Sequence, residues 1–197
     1  SFNELTYHEK ILNIQNQVDK IISYEHMIDR LLNGDDNPLL EGWLDNIIGI
    51  ASNEGSNIGI DGLADNEYMN RELDKFDRLM NCRYTELYQG SLFNSINNND
   101  KNNHDKNDDP NYNELLEELN RGCSLMLYAG HANEVSLSTT GFSNNHMERL
   151  DNFNKYFLGC VVGCSFGSHD ENYMSLAENL QISKNKGSIA MFASTIL

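Results

Sequence analysis

A chain of 197 residues, 39% hydrophobic and with 14 Gly, has the size and composition of one globular domain, or of one domain with an appendage. Its formal net charge of −16 argues against nucleic acid, where a basic face would be expected. No apolar run approaches the roughly 20 residues of a membrane span, and four cysteines are too few for a chain this long to rest on a disulfide framework. The chain opens at Ser1 without a signal peptide and stops at Ser194-Thr195-Ile196-Leu197, so it reads as a piece of a longer precursor.

In chain order, Thr6-x-x-Glu9 is a capping box. Behind it Ile11, Ile14, Val18, Ile21, Ile28 and Leu32 recur at helical spacing, which predicts a scaffold helix over 7–32. The run Asn33-Gly34-Asp35-Asp36-Asn37-Pro38 ends it. Residues 1–42 are thus a helix and linker leading into a domain over 43–197. Residues 47–51 read as a strand that runs into a loop, 52–65, rich in glycine and carboxylate. A helix over 66–80 carries Met69, Leu73, Phe76, Leu79 and Met80, and a short strand follows at 85–88.

Composition then breaks. Residues 94–112 are dominated by Asn and Asp and predict a disordered surface insertion, because they cannot bury enough apolar surface to offset their ordering entropy. Beyond it the pattern predicts a helix over 112–121 stopped by Gly122, and a strand over 124–128. Residues 135–142 read as irregular and 145–150 as a short helix. A strand over 156–162, a helix over 172–183 and a final strand over 188–193 complete the chain. Strands alternating with helices predict an α/β fold: a mostly parallel sheet with helices on both faces.

Two of the strands stop at reactive side chains. Leu125-Met126-Leu127-Tyr128 leads through Ala129-Gly130 to His131, and Leu158-Gly159-Cys160-Val161-Val162 leads through Gly163 to Cys164. In an open α/β sheet the chemistry gathers past the carboxyl ends of parallel strands, which places His131 and Cys164 on neighbouring loops. An imidazole can take a thiol proton, and the thiolate then attacks a carbonyl. Cys160, Cys82 and Cys123 read as core residues and His104, His146 and His169 as loop residues. A zinc site made of Cys160, Cys164 and His131 or His169 is the minor alternative. The carboxylates of 52–65 offer either an orienter for the histidine or ligands for calcium.

The segments Leu125 to Asn133 and Gly163 to Asp170 resemble the histidine and nucleophile loops of the gingipain-type cysteine peptidases, family C25. Val18 to Glu25, Gly49 to Gly55, Leu176-Ala177-Glu178 and Gly187 to Ile196 resemble that family as well. The resemblance implies a caspase-like three-layer sandwich and a cysteine endopeptidase acting on protein or peptide substrates. It makes Cys164 the nucleophile, His131 the general base and Asp61 the acidic third residue, with Asp65 or Glu54 as alternatives. It puts the oxyanion donors on the backbone N–H groups of Ala132 and Cys164. It further implies secretion or cell-surface display, no cofactor for the chemistry, room for a structural calcium, and further domains of the same precursor.

Three positions depart from the family pattern. Ala132 replaces a glycine, Asn133 a serine, and Ser168 an aspartate, with Asp170 two residues on. If the histidine loop needed a positive φ at 132, the alanine would strain it by roughly 1–2 kcal/mol and slow the enzyme. A pseudopeptidase or binding module of the same fold is the competing reading. A secretion-linked processing peptidase or transpeptidase is a further one.

Overall fold

The computed structural model of the chain describes residues 6–34, 42–55, 62–90, 109–169 and 173–196. Its strands are β1 (Asn46–Ala51), β2 (Arg83–Tyr88), β3 (Leu125–Ala129), β4 (Ala132–Asn133), β5 (Ser136–Leu137), β6 (Phe142–Ser143), β7 (Phe157–Val162) and β8 (Ser188–Ala193). Its helices are α1 (Tyr7–Leu32), α2 (Asp65–Met80), α3 (Tyr112–Arg121) and α4 (Leu176–Ile182). Five strands form one sheet in the order β2-β1-β3-β7-β8, and every neighbouring pair in it is parallel. The order reverses at β1, which has β2 on one side and β3 on the other.

Alternation along the strands divides the core in two. Ile48 and Ile50 of β1, Met126 and Tyr128 of β3, and Phe157 and Val161 of β7 pack with Leu115, Leu116 and Leu119 of α3 and Leu176 and Leu180 of α4. The opposite face puts Ile47, Ala51 and Ala129 against Met69 and Leu73 of α2. Each fully buried Leu, Ile, Met, Val or Phe among them contributes about 1.5–3 kcal/mol of hydrophobic stabilisation. Gly49 lets α2 sit close, since a Cβ there would lie 2.5 Å from a Leu73 methyl. The α/β three-layer arrangement expected from the sequence is therefore present. On the α2 side the cover thins towards β7 and β8, where Val162 and Phe192 are exposed.

Helix α1 has the expected bounds but turns the other way. Its box at Thr6 and Glu9 is formed, yet Ile11, Ile14, Val18, Ile21 and Leu32 are exposed. The side facing the body joins polar groups to the buried Met27 and to Tyr24, whose ring meets that of Trp43, while Ile28 of the expected stripe is partly buried. Lys20 is buried and its Nζ donates to the carbonyls of Leu180, Lys186 and Ser188 at 3.1, 3.1 and 2.9 Å. Gln17 Nε2 donates to the Ile189 carbonyl of β8 at 2.7 Å, and Asn16 Nδ2 to that of Ile182. Backbone carbonyls at the α4–β8 turn need donors, and this helix supplies them. Periodicity identifies an apolar stripe but not the direction in which it points.

Three further readings are corrected. Residues 135–142, read as irregular, contain β5 and the start of β6 in a small antiparallel sheet ordered β4-β5-β6. The last helix starts later than 172, at Leu176, where Ser175 caps it by accepting from the Glu178 N–H. Of the Asn-rich insertion expected over 94–112, residues 94–108 lie outside the described ones. Its expected end does not hold: Asp109 accepts hydrogen bonds from Gln89 and Gly90, and Asn111 caps α3.

Candidate active site

Three loops leave the carboxyl ends of β1, β3 and β7, and they carry Glu54, His131 and Cys164. The first two flank the β1–β3 boundary, where the strand order reverses, the usual crevice of an open α/β sheet. His131 Nε2 lies 2.6 Å from Glu54 Oε2. A carboxylate is an acceptor, so the ring nitrogen facing it carries the hydrogen and Nδ1 is left as the basic nitrogen. Both side chains are largely exposed, at 68% and 58%. An exposed contact of this kind adds little stability, on the order of 0–1 kcal/mol, so its effect is to orient the ring.

The Cys164 loop is held on both sides. A Cβ on Gly163 would lie 2.7 Å from the Ala132 Cβ and 3.0 Å from the Gly130 carbonyl oxygen, so the histidine and cysteine loops touch there with no room for a side chain. On the far side the Ser165 and Gly167 N–H groups donate to the carbonyls of Ile196 and Ser194 at 3.3 and 2.7 Å. Ser165 has φ +53°, a left-handed conformation rare for a residue with a Cβ, and it turns the chain sharply just after Cys164. Cys164 is a partly exposed free thiol.

The other sequence-predicted residues fall as follows. Asp61 lies outside the described residues. Of the two alternatives, Glu54 reaches His131, whereas Asp65 accepts a hydrogen bond from the Ser52 hydroxyl at 2.6 Å. Ala132 is in strand β4, paired with Leu137, and is not among the positive-φ residues. The strain expected of an alanine there is absent. Among the described residues no three His, Cys, Asp or Glu side chains come together as metal ligands, which removes the zinc site at Cys160, Cys164 and His131 or His169. Glu54 and Asp65 are engaged with His131 and Ser52, and residues 56–61 of the 52–65 loop, on which the calcium expectation also falls, lie outside the described ones. Burial pushes the thiols of Cys82 and Cys123 up, keeping them protonated and unreactive.

The profile of peptidase family C25 matches residues 9–197. The chain belongs to that family. Gingipain R2 of Porphyromonas gingivalis strain W83 is 28% identical over 188 residues, which are 93% of this chain and 22% of the relative. Gingipain R2 of a second strain is 27% identical over the same shares. Among solved structures, the complex of Porphyromonas gingivalis RgpB pro- and mature domains superposes with TM-score 0.67 at 25% identity, over 78% of this chain and 33% of that one. The Arg-specific cysteine proteinase gingipain R (RgpB) gives 0.67 at 24%, over 78% and 32%. The fold is thus that of the family. The chain spans 22% of the length of the curated relatives it matches.

Sequence reasoning missed the hydroxyls around this site. Ser52, Tyr128 and Thr139 are all buried. Tyr128 donates to the His131 carbonyl, and Ser52 accepts from the Glu54 N–H at 3.3 Å. One signal was available: Tyr128 carries the polar group of its apolar run, and a buried phenol needs a partner.

Proposed function

We propose that this chain is the catalytic core of a cysteine endopeptidase that hydrolyses peptide bonds through Cys164 and His131, with Glu54 orienting the histidine. The observation that carries the reading is the Glu54–His131 contact of 2.6 Å on a loop that abuts the Cys164 loop at Ala132 and Gly163. His131 Nδ1 takes the thiol proton, and the thiolate sulfur attacks the peptide carbonyl. The N–H groups of Ala132 and Cys164 are the proposed donors to the oxyanion. As the intermediate collapses the C–N bond breaks, His131 returns the proton to the leaving amine, and a thioester remains. Water, deprotonated by His131, then attacks the thioester and releases acid and thiol.

No metal enters these steps. A solved relative is named Arg-specific, and the net charge of −16 favours basic peptides, so arginyl peptides are the proposed substrates. Secretion or cell-surface display is proposed from the family resemblance, and further domains of the precursor as partners. No described helix is long and apolar enough to cross a membrane. The outward stripe of α1 is a surface on which such a domain could rest.

The test is labelling by a peptidyl-arginyl electrophile followed by peptide mapping. Modification at Cys164, absent in Cys164→Ala and slowed in His131→Ala, is expected. Modification at Cys160 instead would reassign the nucleophile. An unlabelled but folded protein would favour the pseudopeptidase.

A further inference from the structure

The His131 ring is mostly exposed and Glu54 is its one side-chain partner among the described residues. Packing therefore does not aim it; Glu54 and the backbone from which it projects do. That backbone is fixed from below. Tyr128, 1% exposed, donates its hydroxyl hydrogen to the His131 carbonyl at 2.5 Å. The same carbonyl accepts the Ser138 N–H at 2.9 Å. The tyrosine oxygen also receives the Thr139 N–H at 3.2 Å and lies 3.0 Å from the Thr139 hydroxyl. A phenol has one hydrogen to give, and His131 has it, so Thr139 must donate on both counts. The direction of every bond in the group is thereby set.

Gly130 sits among these hydroxyls with φ +156°. A Cβ on it would meet Thr139 Oγ1 at 3.0 Å, Ser52 Cβ at 3.2 Å and the Tyr128 hydroxyl at 3.4 Å. The edge of the Tyr128 ring, at Cε1, lies 3.5 Å from where a Gly163 Cβ would be. One buried ring thus bonds the backbone of the histidine loop and borders the cysteine loop. We propose that Tyr128 is a positioning residue for His131, its hydroxyl holding the His131 backbone so that the imidazole meets Glu54 and faces the Cys164 loop. This inference rests on the reading of His131 as the base.

The experiment compares wild type and Tyr128→Phe in the full-length protein. It reads kcat and KM on an arginyl peptide, the pH dependence of Cys164 alkylation by iodoacetamide, and the His131 ring signals in a histidine-labelled NMR titration. Tyr128→Phe should lower kcat about tenfold with KM within twofold, the low end of the roughly 10–100-fold lost when the hydrogen-bond partner that orients a metal-bound histidine is removed. It should also flatten the neutral-pH part of the alkylation profile and shift the His131 ring signals. Thr139→Ser, which keeps hydroxyl and N–H, should behave as wild type. Unchanged kcat and unchanged ring signals in Tyr128→Phe would overturn the proposal. Should that variant not fold, Thr139→Val decides: a fall in kcat at constant KM supports the role, and wild-type kinetics sink it. A wild-type protein without turnover or neutral-pH alkylation would sink the peptidase reading, while the ring signals would still decide for or against Tyr128.

Discussion

The Lys20 clamp and the Glu54–His131 pair are both polar constellations, and burial separates what they do. Lys20 is 2% exposed and bonds three backbone carbonyls at the α4–β8 turn. Glu54 and His131 stand in solvent with one bond between them. In the first, water is excluded, every donor is spent on backbone, and losing it leaves carbonyls unpaired. In the second, water competes and little stability is at stake, but the geometry of one ring nitrogen is set. A buried polar group is committed to the fold; an exposed one is free to work.

The largest expected effect lies on the buried side. Lys20→Met leaves the three carbonyls without their donor and should destabilise the protein by about 3 kcal/mol, with kcat on an arginyl peptide unchanged at permissive temperature. Burial lowers the Lys20 pKa from 10.5 to about 8. Between those values the unfolded chain holds a proton that the folded chain has released, so this residue makes wild-type stability rise with pH. Denaturant melts at pH 7.5 and 9.5 should therefore show the gap between wild type and Lys20→Met widening. A gap that narrows would mean that the ammonium form is the one the clamp needs.

On the exposed side, Glu54→Gln should lower kcat about 10–100-fold while moving the midpoint of thermal unfolding by less than a degree or two. Asp65→Asn measured in parallel separates direct orientation of His131 from support through Ser52. If Asp65→Asn costs more than Glu54→Gln, the orienting role has been given to the wrong carboxylate. Ala132→Gly should change kcat less than about twofold, because Ala132 is already in extended β4 and has no left-handed strain to relieve. A large gain would show that the loop takes another conformation with substrate bound. The smallest effect is expected for Val18→Lys on the outward stripe of α1, where stability measured on this chain should stay within about 0.5 kcal/mol. A loss of several kcal/mol would mean that the helix is seated the other way round.

What could be read from the sequence follows the same division. Each long strand and the helices α1, α2 and α3 were legible within a residue or two, because apolar runs, capping residues and Gly122 are local signals. The placement of His131 and Cys164 on adjoining loops was legible because each follows a buried run that breaks at glycine. The facing of α1 was not legible. Its stripe of isoleucines has helical spacing whether or not anything covers it, and no local rule says that carbonyls of residues 180–189 need a lysine from residue 20. That Glu54 rather than Asp65 reaches His131 was equally hidden, since the path of a glycine-rich loop is set by contacts such as Ser52 with Asp65, far from any periodicity. The β4-β5-β6 sheet escaped because strands of two residues carry no alternation to read.

The contact between Gly163 and Ala132 has a bearing on how this protein can change. With 2.7 Å between the Ala132 methyl and the place a Gly163 methyl would take, the two positions divide one volume between them. With a side chain at 132 there is no room for one at 163. A substitution at 163 is therefore worst in the present background and milder after 132 has become glycine, when the 3.0 Å approach to the Gly130 carbonyl oxygen is what is left, so the order of mutations bears on which are open to selection. The two loops that carry the reactive side chains are genetically linked through a space the size of one carbon atom.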